Sequence, residues 1–399
     1  MSANRLADCR WWSVFSIFLR LGLTSFGGPV AHLGYFRTEF VERRGWLNER
    51  AYADLVALCQ FLPGPASSQV GMALGLSRAG YAGALAAWAG FTLPSAIALI
   101  LFAQGVTTFG DALAPGALHG LKVVAVAVVA QAVWGMARSL CPDAPRITLM
   151  TVAACVVLLV PSAWTQVGVI AGAGVVALAM FRPAEGGVHE PLPVTVGRRA
   201  GGLWLALFFI FLAWLPVLAQ LIPEPAVAMA DAFYRAGSLV FGGGHVVLPL
   251  LQAEVVPPGW VGNDTFLAGY GAAQAVPGPL FTFSAFLGAS MTGGPSGWAG
   301  GLLCLFAVFL PSFFLVAGAL PFWEDLRRHT RTQAALSGIN AAVVGLLLAA
   351  LYHPVWTNAI LGARDFGLAL VAFVCLVVWK IPPWLVVAGC GVAGWALAY

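Results

Sequence analysis

Long apolar runs punctuate the chain near 80–105, 113–138, 147–160, 164–181 and 202–222, and again near 295–320, 332–352, 366–380 and 383–399. A helix needs about 20 apolar residues to cross a bilayer core, so these runs read as spans. Other apolar segments are interrupted: 11–44 at Phe26-Gly-Gly-Pro29 and 48–79 at Pro63-Gly-Pro65. In the second half the interruptions are Phe241-Gly-Gly-Gly-His245 and Pro277-Gly-Pro279. Glycine and proline at that density stop a helix. Each interruption therefore predicts a helix, a non-helical turn and a new helix.

Composition narrows the class. Of 399 residues, 60% are hydrophobic and 9% charged, against about 25% charged in soluble domains. Sixteen acids and twenty bases cannot coat a soluble protein of this size. That argues against a soluble enzyme, a nucleic-acid binder or a disordered scaffold, and for an all-α polytopic membrane protein. The net charge of +4 is small, and the bases are nearly all Arg. Seven scattered cysteines, with no C-x-x-C and no Cys/His cluster, signal neither a disulfide framework nor a zinc site. Arg5 and Arg10 precede an apolar run as in a signal peptide, but that run holds Arg20 and lacks an A-x-A-like site, so it is expected to be retained.

The chain repeats itself. Phe18-Leu-Arg20-Leu-Gly22 through Phe26-Gly-Gly28 recurs as Phe233-Tyr-Arg235-Ala-Gly237 through Phe241-Gly-Gly243, 215 residues on, and Glu39 meets Glu254 at the same offset. Gln60-Phe-Leu-Pro63-Gly-Pro65 meets Gln274-Ala-Val-Pro277-Gly-Pro279 at 214, Leu93-Pro94-Ser95 meets Leu310-Pro311-Ser312 at 217, and Lys122 meets Asn340 at 218. The expected division is a first repeat over 11–181, a linker with an extra helix over 182–225, and a second repeat over 226–399. Equivalent loops carry opposite charge bias: Arg37, Arg43, Arg44 and Arg50 follow the first opening helix, whereas 246–264 has no Lys or Arg; 106–112 has none, whereas its counterpart holds Arg327, Arg328 and Arg331. Cytoplasmic loops collect Lys and Arg, so the repeats are expected to be inverted. If the interrupted segments enter and return, nine crossings result, with the N-terminus inside and the C-terminus outside; counted as spans, they bring the total to about thirteen.

Non-helical backbone at membrane depth is tolerated where it is buried in protein or lines a wet cavity. A helix start offers free N–H groups and about half a positive charge. Gly27, Gly28, Pro63, Gly64, Pro65, Gly242, Gly243, Gly244, Pro277, Gly278 and Pro279 are thus expected to aim up to four helix starts at one midplane cavity, with Ser67, Ser68 and Thr282 in the opening turns. Such a cavity suits a small tetrahedral dianion. The bland alternative is glycine and proline that merely kink helices or let them pack.

Arg20 lies in an apolar run with no acid at i±3 or i±4, so it needs a partner: an anionic substrate or a distant carboxylate. Its mate Arg235 has Asp231 one turn earlier. Lys122 is either an anion contact or a snorkelling side chain. His245 is read as bonding the anion, titrating, or satisfied by backbone. Glu39 and Glu254 are candidate carriers of a coupled proton; for Glu39, flanked by Arg43 and Arg44, a solvated role is favoured. No Walker A motif is present. Gly288-Ala-Ser290 weakly suggests an intramembrane hydrolase, but a small-residue packing face explains it better.

Phe26-Gly-Gly-Pro-Val-Ala-His32, Gln60-Phe-Leu-Pro-Gly-Pro-Ala-Ser67, Phe241-Gly-Gly-Gly-His-Val-Val-Leu-Pro249 and Gln274-Ala-Val-Pro-Gly-Pro279 together resemble the signature blocks of the CHR chromate ion transporters, in the long two-repeat form. The resemblance covers essentially 12–399. It implies inverted halves and secondary transport of chromate out of a bacterial cytoplasm across the inner membrane, driven by membrane potential or proton gradient. It also implies roles for Arg20, Glu39, the Gly-Gly pairs and the Pro-Gly-Pro turns; Gln60 and Gln274, which adjoin those turns, are taken as substrate-binding candidates with them. Sulfate or another oxyanion stays an alternative substrate. No cofactor, metal or nucleic acid is expected; the partners are an oxyanion and the lipid bilayer, with a homodimer left open.

Overall fold

The computed structural model describes residues 10–109, 115–181, 196–241, 243–323 and 330–396. Gly242, most of the 182–200 linker, and Arg327 and Arg328 lie outside the described residues. Within them the chain is helical, without a strand.

The first copy runs α1 (Trp11–Thr24), α2 (Gly28–Phe36) continuing into a π-helical stretch at Arg37–Arg43, α3 (Glu49–Phe61), α4 (Ala66–Phe109), α5 (Pro115–Leu140), α6 (Ala144–Leu159) and α7 (Ala163–Met180). One extra helix, α8 (Arg198–Leu221), precedes the second copy. That copy follows the same order: α9 (Pro225–Ser238), a 3-10 turn at Gly244–Val246, α10 (Val247–Val255), α11 (Asn263–Ala273), a 3-10 turn at Leu280–Thr282, α12 (Phe283–Ser290), α13 (Gly297–Ala319), α14 (Thr330–Ala350), α15 (Ala363–Val377) and α16 (Pro383–Ala396).

Helix α4 is two helices joined at a bend. Ala79 (φ −137°, ψ 28°) and Gly80 (φ 61°, ψ −153°) leave helical geometry, and a Cβ on Gly75 or Gly83 would collide with the other's carbonyl oxygen. On a straight helix those residues would stand about 12 Å apart. Residues 66–79 therefore fold back against 81–109, as the sequence anticipates. The second copy builds the same hairpin from α12 and α13, where Gly288 faces the carbonyl of Gly300. That contact makes Gly288-Ala-Ser290 the packing face the sequence favours, and Ser290 Oγ is buried with no hydrogen-bond partner among the described residues.

The long arm of α4 packs on its counterpart α13. Ring pairs join Tyr81 to Phe313 (6.4 Å) and Trp88 to Phe306 (5.2 Å), while Ile100 lies against Gly301 and Gln104 against Gly297. Numbers rise along one helix as they fall along the other, so these equivalent helices run antiparallel. The copies also interlock. Helix α5 packs on α15 and α16 of the other copy, and α14 packs on α6 and α7. Glycines let the backbones touch: Gly116 and Gly120 meet Gly394 and Cys390, and Gly338 meets Ala173 and Ala177.

Five segments among the described residues are long and apolar enough to cross a membrane: Ala66–Val106 (bent as above), Gly116–Leu140, Arg198–Leu221, Gly297–Phe322 and Arg331–Ala359. The other expected spans match their apolar runs but fall short of that length. Helices α6, α7, α15 and α16 have 16, 18, 15 and 14 residues, about 21–27 Å at 1.5 Å per residue, against about 30 Å of hydrocarbon. Turns at Val160-Pro-Ser162 and Lys380-Ile-Pro382 separate α6 from α7 and α15 from α16, where the apolar runs end.

Candidate functional site, a cavity between the two copies

A cavity of about 730 Å³ lies between the copies. Gly28, Ala66, Gly244 and Leu280, the first residues of the four segments that restart after a break, all line it. Gly27, Gly64, Gly243 and Gly278 line it too. The Pro-Gly-Pro turns are clamped reciprocally. Gly64 N–H donates to the carbonyl of Val240 (2.7 Å), just before the second copy's glycine break, and Gly278 N–H donates to Ser25 (2.9 Å), just before the first's. Both glycines adopt positive φ (124° and 98°), which costs an L-residue with a side chain strain. Behind them stand the Leu-Pro-Ser motifs: a Cβ on Gly64 would strike Ser312 Oγ, and one on Gly278 would lie 2.9 Å from Ser95 Oγ. Three repeated motifs thus meet at one place, each served by the opposite copy. Because of the clamp, the Gly64 and Gly278 amides are spent within the protein, which the sequence reading does not foresee.

Gly27, Gly243 and Pro279 provide no side-chain cap; the amides of Val246 and Thr282 donate back to the carbonyls of Gly243 (3.3 Å) and Pro279 (3.0 Å), and the amides ahead of them have no intrahelical partner. Neutral polar side chains complete the wall: Gln60, Gln131, Ser139, His245, Gln274 and Asn340. Among the described residues no Asp, Glu, Lys or Arg lines the cavity. The Nε2 of Gln274 and the Oδ1 of Asn340 are buried without partners, an unusual cost for amides unless something else bonds them. Gln131 and Ser139 escape the motif reading, and Asn340 enters it only as the mate of Lys122; the signal for Gln131 and Asn340 is a lone amide in the middle of an apolar helix.

Several predicted site residues stand elsewhere. Arg20 does not reach the cavity: its guanidinium pairs with Glu39 at 2.7 Å, and its side chain is 53% exposed. Glu39 is not solvated but buried, bonded by Arg44 (2.7 Å) and Arg43 (3.2 Å) as well. Burial raises its carboxyl's pKa, but the Arg44 bond and the charges of Arg20 and Arg44, with Arg43, outweigh this and hold it below the usual carboxylate range. Arg235 bonds Glu254 (2.7 and 3.0 Å) and Asp231 (2.8 Å), so neither it nor Glu254 faces the cavity. Lys122 pairs with Asp264 at 3.0 Å. Fixed pairing removes these charges from the wall. Pro63, Pro65, Pro277 and Pro279 shape the turns without lining the cavity; the carbonyl of Pro63 accepts from Gln69 (2.7 Å) and that of Pro279 from the buried Thr282 hydroxyl (2.8 Å). Ser67 Oγ lies 3.4 Å from His32 Nδ1, and Ser68 Oγ is buried without a partner. Among the described residues no cluster of three His, Cys, Asp or Glu could hold a metal.

No solved structure matches the chain. A chromate transport protein of Pseudomonas aeruginosa is 30% identical over 353 residues, covering 84% of this chain and 78% of that protein. A probable chromate transport protein of Synechococcus elongatus is 25% identical, covering 84% and 81%. A chromate transport protein of Cupriavidus metallidurans is 26% identical, covering 84% and 80%. The sequence profile described as chromate transporter matches twice, at residues 12–178 and 227–395, once on each copy of the fold. By that double match across most of its length, the chain belongs to the chromate transporter family.

Proposed function

We propose that the chain exports chromate from the cytoplasm across the bacterial inner membrane through the central cavity, as a secondary active transporter driven by membrane potential or proton gradient. The observation that carries this reading is the convergence of all four restarted helices on one cavity. Their positive ends and uncapped amides attract an anion and donate to its oxygens. A dianion offers acceptors only, which fits a wall rich in amide donors.

The absence of charge in the lining has a consequence for turnover. An arginine at about 4 Å in a site of effective dielectric near 20 contributes about 4 kcal/mol of attraction per unit charge, which would slow release. Neutral donors and helix dipoles bind without that grip. Opposite orientation of the halves, with the N-terminus cytoplasmic and the C-terminus periplasmic, is supported by the loop arginine bias and by the antiparallel run of the α4 long arm and α13. Equivalent helices that cross one bilayer antiparallel belong to inverted halves, and reciprocal clamps then offer two related ways of opening the same cavity.

The lining favours any tetrahedral dianion, so sulfate is the competing cargo. Everted vesicles test both: under an imposed gradient they accumulate chromate above de-energised controls, and unlabelled sulfate displaces it only at higher concentration. Equal accumulation with and without the gradient removes active export; tighter competition by sulfate reassigns the cargo.

A further inference from the structure

Among the described residues that line the cavity, His245 is the one imidazole. Its Nδ1 lies 2.8 Å from the hydroxyl of Tyr270. Tyr270, on α11, is fully buried, stands behind the cavity wall and packs edge-on against Phe283 (5.7 Å, 78°). Its hydroxyl makes no other hydrogen bond among the described residues. A buried hydroxyl proton left unbonded costs about 1–3 kcal/mol, so the hydroxyl donates and Nδ1 accepts. A neutral imidazole that accepts at Nδ1 carries its proton on Nε2. That Nε2 has no protein partner among the described residues, yet it is not enclosed by protein atoms as the Nε2 of His32 is. It opens onto the cavity.

We propose that Tyr270 is a positioning residue that fixes His245 as an Nε2–H donor to the transported oxyanion, an inference that rests on the transport reading above. The tyrosine acts through the ring it holds. Without it the imidazole is free to turn or to place its proton on Nδ1, which would present a lone pair to a dianion. The first copy has no equivalent: the matching positions are Val30 and Val56. This donor therefore comes from one half only.

The test is a double-variant cycle on the full chain in nanodiscs, with sodium chromate binding read calorimetrically and flux read in vesicles. Tyr270→Phe is expected to raise the Kd for chromate about five- to tenfold, the size of one hydrogen bond, and to weaken affinity more than maximal flux. In the His245→Gln background the same change should add nothing. An unchanged Kd in Tyr270→Phe, or losses that add in the double variant, overturns the proposal. A second measurement needs no Tyr270 variant. In wild-type protein labelled with nitrogen-15 at its six histidines, the resonances lost in His245→Gln should report a protonated Nε2 and a bare Nδ1; the opposite tautomer overturns the proposal. If the expected tautomer is found but the wild-type chain binds neither chromate nor sulfate, the transport reading fails, and with it the donor's role, through an observation separate from the tautomer.

Discussion

In the first copy Arg20 reaches Glu39 at 2.7 Å, and Arg43 and Arg44 join the same carboxylate; in the second, Arg235 reaches Glu254 at 2.7 Å and divides itself between that carboxylate and Asp231. The strut is the same, tying the helix before the glycine break to the helix after it. Its setting is reversed. Three guanidiniums on one carboxylate leave a local charge of +2, and one guanidinium on two carboxylates leaves −1. The Arg20 side chain is 53% exposed, the Arg235 side chain 14%. The duplicated fold thus keeps the strut and lets the surroundings vary. The Arg235 pair depends on complete partnership, whereas the Arg20 guanidinium is half exposed to water and its buried carboxylate is bonded by Arg43 and Arg44 as well.

That contrast gives an ordered set of expectations. Arg235→Ala leaves Asp231 and Glu254 buried side by side, and should lower stability by about 3–5 kcal/mol, read as thermal unfolding of purified protein; adding Asp231→Asn and Glu254→Gln should recover most of the loss. Next in size are the clamps. Gly64→Ala forces a side chain into positive φ and against Ser312, costing about 1–3 kcal/mol, and Gly278→Ala should match it against Ser95 with a comparable drop in vesicle flux. Unequal flux losses would mean that the two turns are not equivalent gates. Arg20→Ala is milder, about 1 kcal/mol or less, since Glu39 keeps two arginines; chromate Kd should not move. A severalfold rise would put Arg20 back in the site. Lys122→Met is the smallest, about 0.5 kcal/mol or less, because its partner Asp264 is largely exposed. Asn340→Leu at the equivalent position should instead weaken chromate binding, since Asn340 lines the cavity and Lys122 does not.

Much of the architecture was legible along the chain. Phe-Gly-Gly and Pro-Gly-Pro stop helices for local reasons, so the breaks fall where the motifs stand; the bend at Ala79-Gly80 showed in the sequence only as the boundary between the segments 48–79 and 80–105. The partner of Arg20 was not read, although the signal existed: Arg20 to Glu39 and Arg235 to Glu254 are both 19 residues apart. Helical reasoning covers i±4 pairs, and a pair that closes over a break lies beyond its reach. Gln131 was passed over because no motif surrounds it, and Asn340 was read only as the counterpart of Lys122.

Apolar runs, glycine and proline breaks and a repeated order of motifs follow from the sequence by itself, since each depends on backbone propensity and on what lipid tolerates over about one helix length. Which copy supplies the neighbour was decided by tertiary structure alone. The exchange of α5 and α14 between the halves, the hydrogen bonds from Gly64 to Val240 and from Gly278 to Ser25, and the pairing that draws every charged candidate away from the cavity all join residues far apart in the chain. Close packing selects those partners, and no local pattern of residues encodes them.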